Sequence, residues 1–399
     1  MRAPALAALL STLPAALPAV PAPHSWATVP LFFHSTNASG LFNAAALARM
    51  RAFAVITLDK SQGLANRSDA RSAELRALDA ARAIRAAVGA NATLLFYQNS
   101  LIDWPQYATT HAALVADPAL RLQNASGQDA LGVGGTWLFN MPLPAARAVP
   151  ADLCAAMAGA DAGATFDGCF LDRGGELNNF GPEARLTLAQ KAAADAGHDA
   201  MLAALVARLA RGGKAALLNN NGNFSLAAPG LLGMVEDFGA NETCIIALRD
   251  FAAAGRAVEA HAGYFPDGSD AQCAAAPVNS LAAFLIGAAG GGGGGGGAYY
   301  ACAPGWSSDP GWPAARDPWL DAWPQYARPL GAPLADAVRS AAGVWTRRFA
   351  SGTNVTFDAA AGSGRIAWAD GAVDAGANAQ GSPKACAKWA VQRGGAPLM

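Results

Sequence analysis

From residue 29 onward, short apolar runs alternate with longer stretches whose apolar residues recur every three or four positions. The runs predict strands at Val29–His34, Ala54–Asp59, Thr93–Asn99, Phe166–Asp172, Ala215–Asn220, Met234–Phe238 and Ala257–Ala262. An eighth falls at either Ala283–Gly287 or Tyr299–Ala301. Between them, Ala77, Ala81, Ile84 and Val88 form one helical face, closed by Gly89. Leu202, Leu205, Val206 and Leu209 form another, closed by Gly212 and Gly213. Strands alternating with helices imply right-handed crossovers and a parallel sheet. About eight such units in about three hundred residues suit a closed barrel better than an open sheet. No GxGxxG follows the first strand, so the main sign of a dinucleotide fold is missing. The predicted fold class is therefore α/β, a (β/α)8 TIM barrel over residues 27–350.

Two segments break the rhythm. Residues 100–150 form a long connection carrying Trp104, Tyr107, Trp137 and Phe139, expected to line the barrel mouth. Gly290–Gly297 is an unbroken glycine run. Without a following Gly-Lys-Ser/Thr it reads as a low-complexity insertion, not a phosphate cradle. A last helix is expected near Leu334–Phe349, and then a small C-terminal β-hairpin from Thr353–Phe357 and Arg365–Trp368 within residues 351–399.

Composition narrows the partners. Of 399 residues, 53% are hydrophobic and 14% charged, enough for a large core. A net charge of -1 argues against nucleic acid and anionic membranes, which need a basic footprint. No long uninterrupted apolar run predicts a membrane span. Arg2, the apolar stretch Ala5–Leu13 and the small residues up to Ala22 predict a secretory leader over residues 1–22. Asn-X-Ser/Thr triplets at Asn37, Asn66, Asn91, Asn124, Asn223, Asn241 and Asn354 point to N-glycosylation. The cysteines at 154, 169, 244, 273, 302 and 386 are even in number and lack a CxxC pair. That favours disulfides in an oxidising compartment over a metal cluster, with the pairing left open. The expected location is extracellular or the endomembrane lumen; the oligomeric state stays open. The histidines lack metal spacing, so neither metal nor cofactor is expected.

In such a barrel the chemistry sits at the C-terminal ends of the strands. Alternation puts Phe166, Gly168, Phe170 and Asp172 on one face, with Asp172 at the strand end. Glu236 follows three uncharged residues in Gly233-Met234-Val235-Glu236, where partial desolvation favours the protonated form a general acid needs. The expected catalytic pair is thus Asp172, as nucleophile or base, and Glu236, as acid. Glu176 ranks behind them. Polar or aromatic residues at the same rim are the expected carbohydrate contacts: His34, Asp59, Asn99, Trp104, Arg173, Asn219 and His261. No GxSxG elbow supports an esterase. A non-catalytic carbohydrate-binding barrel is the alternative, distinguished by carboxyl groups too far apart to cooperate.

Certain stretches also carry a resemblance. FAVITLDKSQG at 53–63, FYQNSLIDWPQY at 96–107, FDGCFLDR at 166–173, RPLGAP at 328–333 and TRRFASGTNVTF at 346–357 resemble the hypothetical TIM-barrel glycoside hydrolases. These are the families similar to endo-α-1,4-polygalactosaminidases. The resemblance implies a barrel with a catalytic carboxylate at Asp172 and a substrate-binding acid at Asp59. The pairing of a fourth-strand with a sixth-strand acid is similar to that of retaining α-galactosidase-type barrels. It implies Asp172 as nucleophile and Glu236 as acid/base. The polyglycine run departs from the family pattern.

Overall fold

The computed structural model describes residues 24–66, 71–159, 165–173, 184–220, 226, 228–263, 273, 277–289, 297–303, 318–320, 323–377 and 386. The expected leader over residues 1–22, Glu176, Asn221, Asn223, Trp306, Trp312 and the glycines at 290–296 lie outside the described residues.

Eight strands close into a barrel in chain order: β1 (Leu31–Ser35), β2 (Phe53–Leu58), β3 (Thr93–Asn99), β4 (Gly168–Asp172), β5 (Ala215–Asn219), β6 (Leu231–Phe238), β7 (Ala257–Ala262) and β8 (Ala298–Cys302). All neighbours run parallel, and β8 returns to β1 through the pairing of Tyr300 with Leu31. Closure leaves no unpaired edge, so almost every strand residue is buried. The two helices read from their apolar faces are Ala73–Val88, which ends at Gly89 in the left-handed region (φ 65°), and Leu188–Arg211. The latter starts in a capping box between Thr187 and Gln190.

The eighth strand is Ala298–Cys302; Ala283–Gly287, the other candidate, ends a helix, Val278–Gly287. That helix lies between Glu242–Ala253 and a second sheet, with Gly287 against Ile245 and Gly364 against Ala282. Covered on nearly all sides, it has no polar face, and its apolar run shows no helical period.

The second sheet corrects two expectations. The hairpin strands pair as β11 (Asn354–Asp358) and β12 (Ser363–Ala367), but inside a five-stranded antiparallel sheet ordered β13-β12-β11-β10-β9. The helix expected near Leu334–Phe349 is instead β9 (Val338–Arg339) and β10 (Val344–Arg348), so this sheet begins ahead of residue 351; β13 is Val373–Ala375. Trp345 and Arg347 face in, while Thr346 and Arg348 face out, a period of two. Arg347 buries its guanidinium on the carbonyls of Leu285 (3.0 Å) and Ala288, capping the helix whose last carbonyls need donors. A buried arginine on a strand reads from sequence as a polar helix position.

Three disulfides join Cys154 to Cys169, Cys244 to Cys386 and Cys273 to Cys302. Among the described residues no helix is long and apolar enough to cross a membrane.

Candidate active site

Cys169 faces out from β4 to the helix Pro144–Ala158, where it bonds Cys154. Alternation therefore turns Phe170 and Asp172 inward. Phe170 stacks on Tyr97 of β3 with centroids 5.7 Å apart and meets the edge of His34 of β1 at 4.5 Å. Asp172 stands above this layer and accepts four hydrogen bonds. Its Oδ2 takes Tyr97 Oη at 2.5 Å and Asn99 Nδ2 at 2.9 Å. Its Oδ1 takes Asn219 Nδ2 at 3.0 Å and the backbone N–H of Arg173 at 2.8 Å. Asn99 can point its amide hydrogens only this way, because its Oδ1 already accepts from the backbone of Leu101 and Ile102. Arg173 adopts a left-handed backbone (φ 55°), which brings its N–H back onto the carboxylate.

Glu236 arrives from β6. The ring of Phe251 occupies the space a side chain would need at Gly233, so that face of β6 meets the outer helix. Met234 and Glu236 alternate with it and turn inward, leaving Glu236 8% exposed. Its Oε2 accepts from Asn219 Nδ2 at 3.2 Å and from Asn220 Nδ2, while its backbone N–H donates to Asn220 Oδ1 at 3.1 Å. Asn220 is also left-handed (φ 52°), a conformation asparagine tolerates better than most residues. The structure thus brings the two sequence-predicted carboxyl groups together on one nitrogen.

A second cluster lies beside this one. Asp59, just beyond β2, pairs with Lys60 Nζ at 3.0 Å and His34 Nε2 at 3.5 Å. Burial pushes the Asp59 carboxyl up, but the Lys60 ammonium and His34 outweigh it and hold the group well below the usual carboxylate range. Burial lowers His34, against the opposing pull of Asp59. Lys60 Nζ also stands over the rings of Tyr97 (4.8 Å) and Trp104 (5.0 Å), which joins the cluster to the Asp172 crown. His261 is fully buried, its Nε2 on the carbonyl of Ala303 at 3.0 Å and its ring 4.7 Å from Trp319. His34 and His261 are enclosed, whereas Asp172, Arg173, Trp104 and Asn220 retain partial exposure. The long connection divides its roles: Trp104 stands at this rim, while Arg121, Gln123 and Asn140 border a flank cavity of about 390 Å³ against Gln190.

Beneath the site, Ser100 Oγ donates to the Asp172 carbonyl at 2.7 Å and sits 2.8 Å from His198 Nε2. With the hydroxyl hydrogen used on the carbonyl, Nε2 must be the protonated nitrogen of His198. Burial lowers the pKa of His198 from 6.5 to about 3. A neutral histidine of this kind stabilises the fold fully above its unfolded value, and that contribution drains away as pH falls from 6.5 toward 3. The expected result is an unfolding free energy, read from urea denaturation, that drops through this window by up to about 1.4 kcal/mol per pH unit for one group. His198→Gln should flatten that dependence by one proton. An unchanged slope in the variant would refute the assignment.

Lys60 and Tyr97 were not among the expected site residues. Tyr97 shares the Thr93, Leu95, Asn99 face of β3, a period-two signal that could have found it. Lys60 directly follows Asp59 and carries no periodic signal. Among the described residues, no grouping of His, Cys, Asp and Glu could hold a metal ion.

A family model described as hypothetical glycosyl hydrolase family 15 matches residues 151–353. No curated protein matches. Among solved structures, the glycoside hydrolase domain of PelA from Pseudomonas aeruginosa is 14% identical with a TM-score of 0.39, covering 64% of this chain and 90% of that one. Ega3 of Aspergillus fumigatus, in complex with galactosamine, is 10% identical with a TM-score of 0.37, covering 75% and 96%. An alpha-galactosidase from Lactobacillus brevis is 11% identical with a TM-score of 0.43, covering 85% and 46%. Likenesses this distant do not bear on substrate. The family match spans just over half of the chain and contains both Asp172 and Glu236. On that match the chain belongs to hypothetical glycosyl hydrolase family 15 and is a glycoside hydrolase.

Proposed function

We propose that this enzyme cleaves O-glycosidic bonds of an oligo- or polysaccharide by double displacement, with Asp172 as nucleophile and Glu236 as acid/base. The observation carrying this reading is the reach of one nitrogen, Asn219 Nδ2, to both carboxyl groups, at 3.0 and 3.2 Å. The bonded oxygens therefore lie within about 6 Å of each other, on the retaining side of the two spacings used by glycosidases. In the first step a carboxylate oxygen of Asp172 bonds the anomeric carbon as the glycosidic C–O bond breaks. The Glu236 proton goes to the leaving oxygen. In the second, Glu236 takes a proton from water, whose oxygen attacks the anomeric carbon and releases Asp172. Asp59, held ionised by Lys60 and His34, is suited to accept sugar hydroxyl or amino hydrogens, and Trp104 offers a flat edge for a ring. His34 and His261, enclosed, would act through Asp59 and Trp319 rather than on sugar directly.

The test is a glycan panel followed by proton NMR of the first product. Retention of anomeric configuration is the expected result; inversion would exclude a covalent Asp172 intermediate.

Three disulfides support folding in an oxidising compartment, and we extend the reading to secretion. Asn91 and Asn354 are exposed, whereas Asn124 is 7% exposed with its Oδ1 on the backbone of Ser126 and Gln128. Glycans are expected on Asn91 and Asn354 but not on Asn124. Peptide mass mapping of protein from a glycosylating host decides it, and an occupied Asn124 would contradict the prediction.

A further inference from the structure

The consecutive asparagines closing β5 are placed unlike ordinary sugar-binding amides. Asn219 is 2% exposed, and its one Nδ2 serves both carboxyl groups. That nitrogen carries two hydrogens, one for each acceptor. The orientation persists although it leaves Asn219 Oδ1 buried without a hydrogen-bond partner. Two carboxyl oxygens facing a carbonyl oxygen would repel it, which fixes the direction of the amide. Asn220 grips Glu236 twice, through Nδ2 on Oε2 and through Oδ1 on its backbone N–H. Its left-handed backbone (φ 52°) makes that grip possible.

We propose that Asn219 and Asn220 are positioning residues that assign the transferable proton of Glu236 to Oε1 and keep a donor on whichever carboxyl group is charged. The proposal rests on the double-displacement reading and deepens it. Oε2 accepts two amide hydrogens, which use the two lone pairs of a carbonyl-type oxygen. A hydroxyl oxygen in that place would have to accept twice while carrying a proton of its own. The proton therefore belongs on Oε1. Charge moves between the two groups during the reaction: Asp172 carries it before attack, and Glu236 carries it once the glycosyl ester has formed. The Asn219 amide touches both, so a charge-assisted bond is present in each half of the cycle without any side chain moving.

The first measurement needs no substrate: neutron diffraction of the deuterated full chain, on crystals titrated until a deuteron appears on Glu236. The expected map shows that deuteron on Oε1 and the two deuterons of Asn219 directed at Asp172 and Glu236. A deuteron on Oε2, or an Asn219 carbonyl oxygen facing the carboxyl groups, overturns the proposal. The second uses Asn220→Gly, which keeps the left-handed backbone, with methyl and 2,4-dinitrophenyl glycosides of the sugar found by the glycan panel. Turnover of the methyl glycoside should fall about 10- to 100-fold with little change in KM. With the dinitrophenyl glycoside, the pre-steady-state release of dinitrophenolate needs no proton from Glu236 and should keep nearly its wild-type rate, while the following base-assisted step slows. A loss in dinitrophenolate release as large as the loss on the methyl glycoside would mean a merely structural role and overturn the proposal. Failure of the reading itself looks different: Asp172→Asn and Glu236→Gln would then keep near-normal turnover.

Discussion

Asp172→Asn and Glu236→Gln should each lose at least about a thousandfold in turnover on a natural glycan, with modest change in binding. Each substitution keeps shape and removes the titrating group, so packing around the site is preserved. The two losses should differ in kind. Asp172→Asn removes the anionic carboxylate that must bond the anomeric carbon, so a better leaving group cannot restore the first step. Glu236→Gln removes only proton traffic, so an activated aryl glycoside should still glycosylate Asp172 and accumulate the ester. Added azide should then release it faster than water, because azide needs no general base. Asp172 has four donors around it and Glu236 two amides on one oxygen. Some of those donors will bind the new amides poorly, which adds to the loss. Near-normal turnover in both variants would refute the assignment of the pair, and accumulation of a glycosyl ester on Asp172→Asn instead of Glu236→Gln would exchange their roles.

Removing the Cys244–Cys386 disulfide should have the largest effect on stability. Its sequence separation is 142, against 15 for Cys154–Cys169 and 29 for Cys273–Cys302. In the chain-entropy account the longest loop contributes most, about 5 kcal/mol against about 3 kcal/mol for the shortest. The bond also has local work. Cys386 donates its N–H to the carbonyl of Asp237 at 3.0 Å, and Gly239 donates to Cys244 Sγ at 3.2 Å. The tail is thus tied to the end of the strand that carries Glu236. The Cys244→Ser, Cys386→Ser double variant should lower the urea midpoint far more than the corresponding change at Cys154 and Cys169. Its turnover should fall as well, since Glu236 loses the support beside it. A double variant within about 1 kcal/mol of wild type would show that the unfolded loop is already restrained.

The barrel was legible because its strands are buried on both faces, so they stand out as apolar runs between amphipathic helices. The positions of Asp172 and Glu236 were legible for the same reason: each is the polar residue at the open end of such a run. What failed was local pattern where a segment's surroundings depart from a single buried face. The helix Val278–Gly287, packed between another helix and the second sheet, lost its period and resembled a strand. Arg347, buried on helix-terminal carbonyls, made β10 resemble a helix. Tyr97 sat on the correct alternating face, yet an aromatic side chain in a strand reads as core, and its hydroxyl on Asp172 is known only once β3 and β4 pair.

The sequence by itself determined the order of the first seven barrel strands, the inward alternation of β4 and the strand-end placement of the acids, because these depend on periodicity along one chain. Cysteine pairing, the bridge from Asn219 to both carboxyl groups, and the joining of Asp59 to Tyr97 through Lys60 depend on contacts between residues far apart in the chain. Closure of β1 through β8 brings those residues within hydrogen-bonding reach, and a hydrogen bond, unlike a hydrophobic period, is specified only by the final distance and direction between its partners.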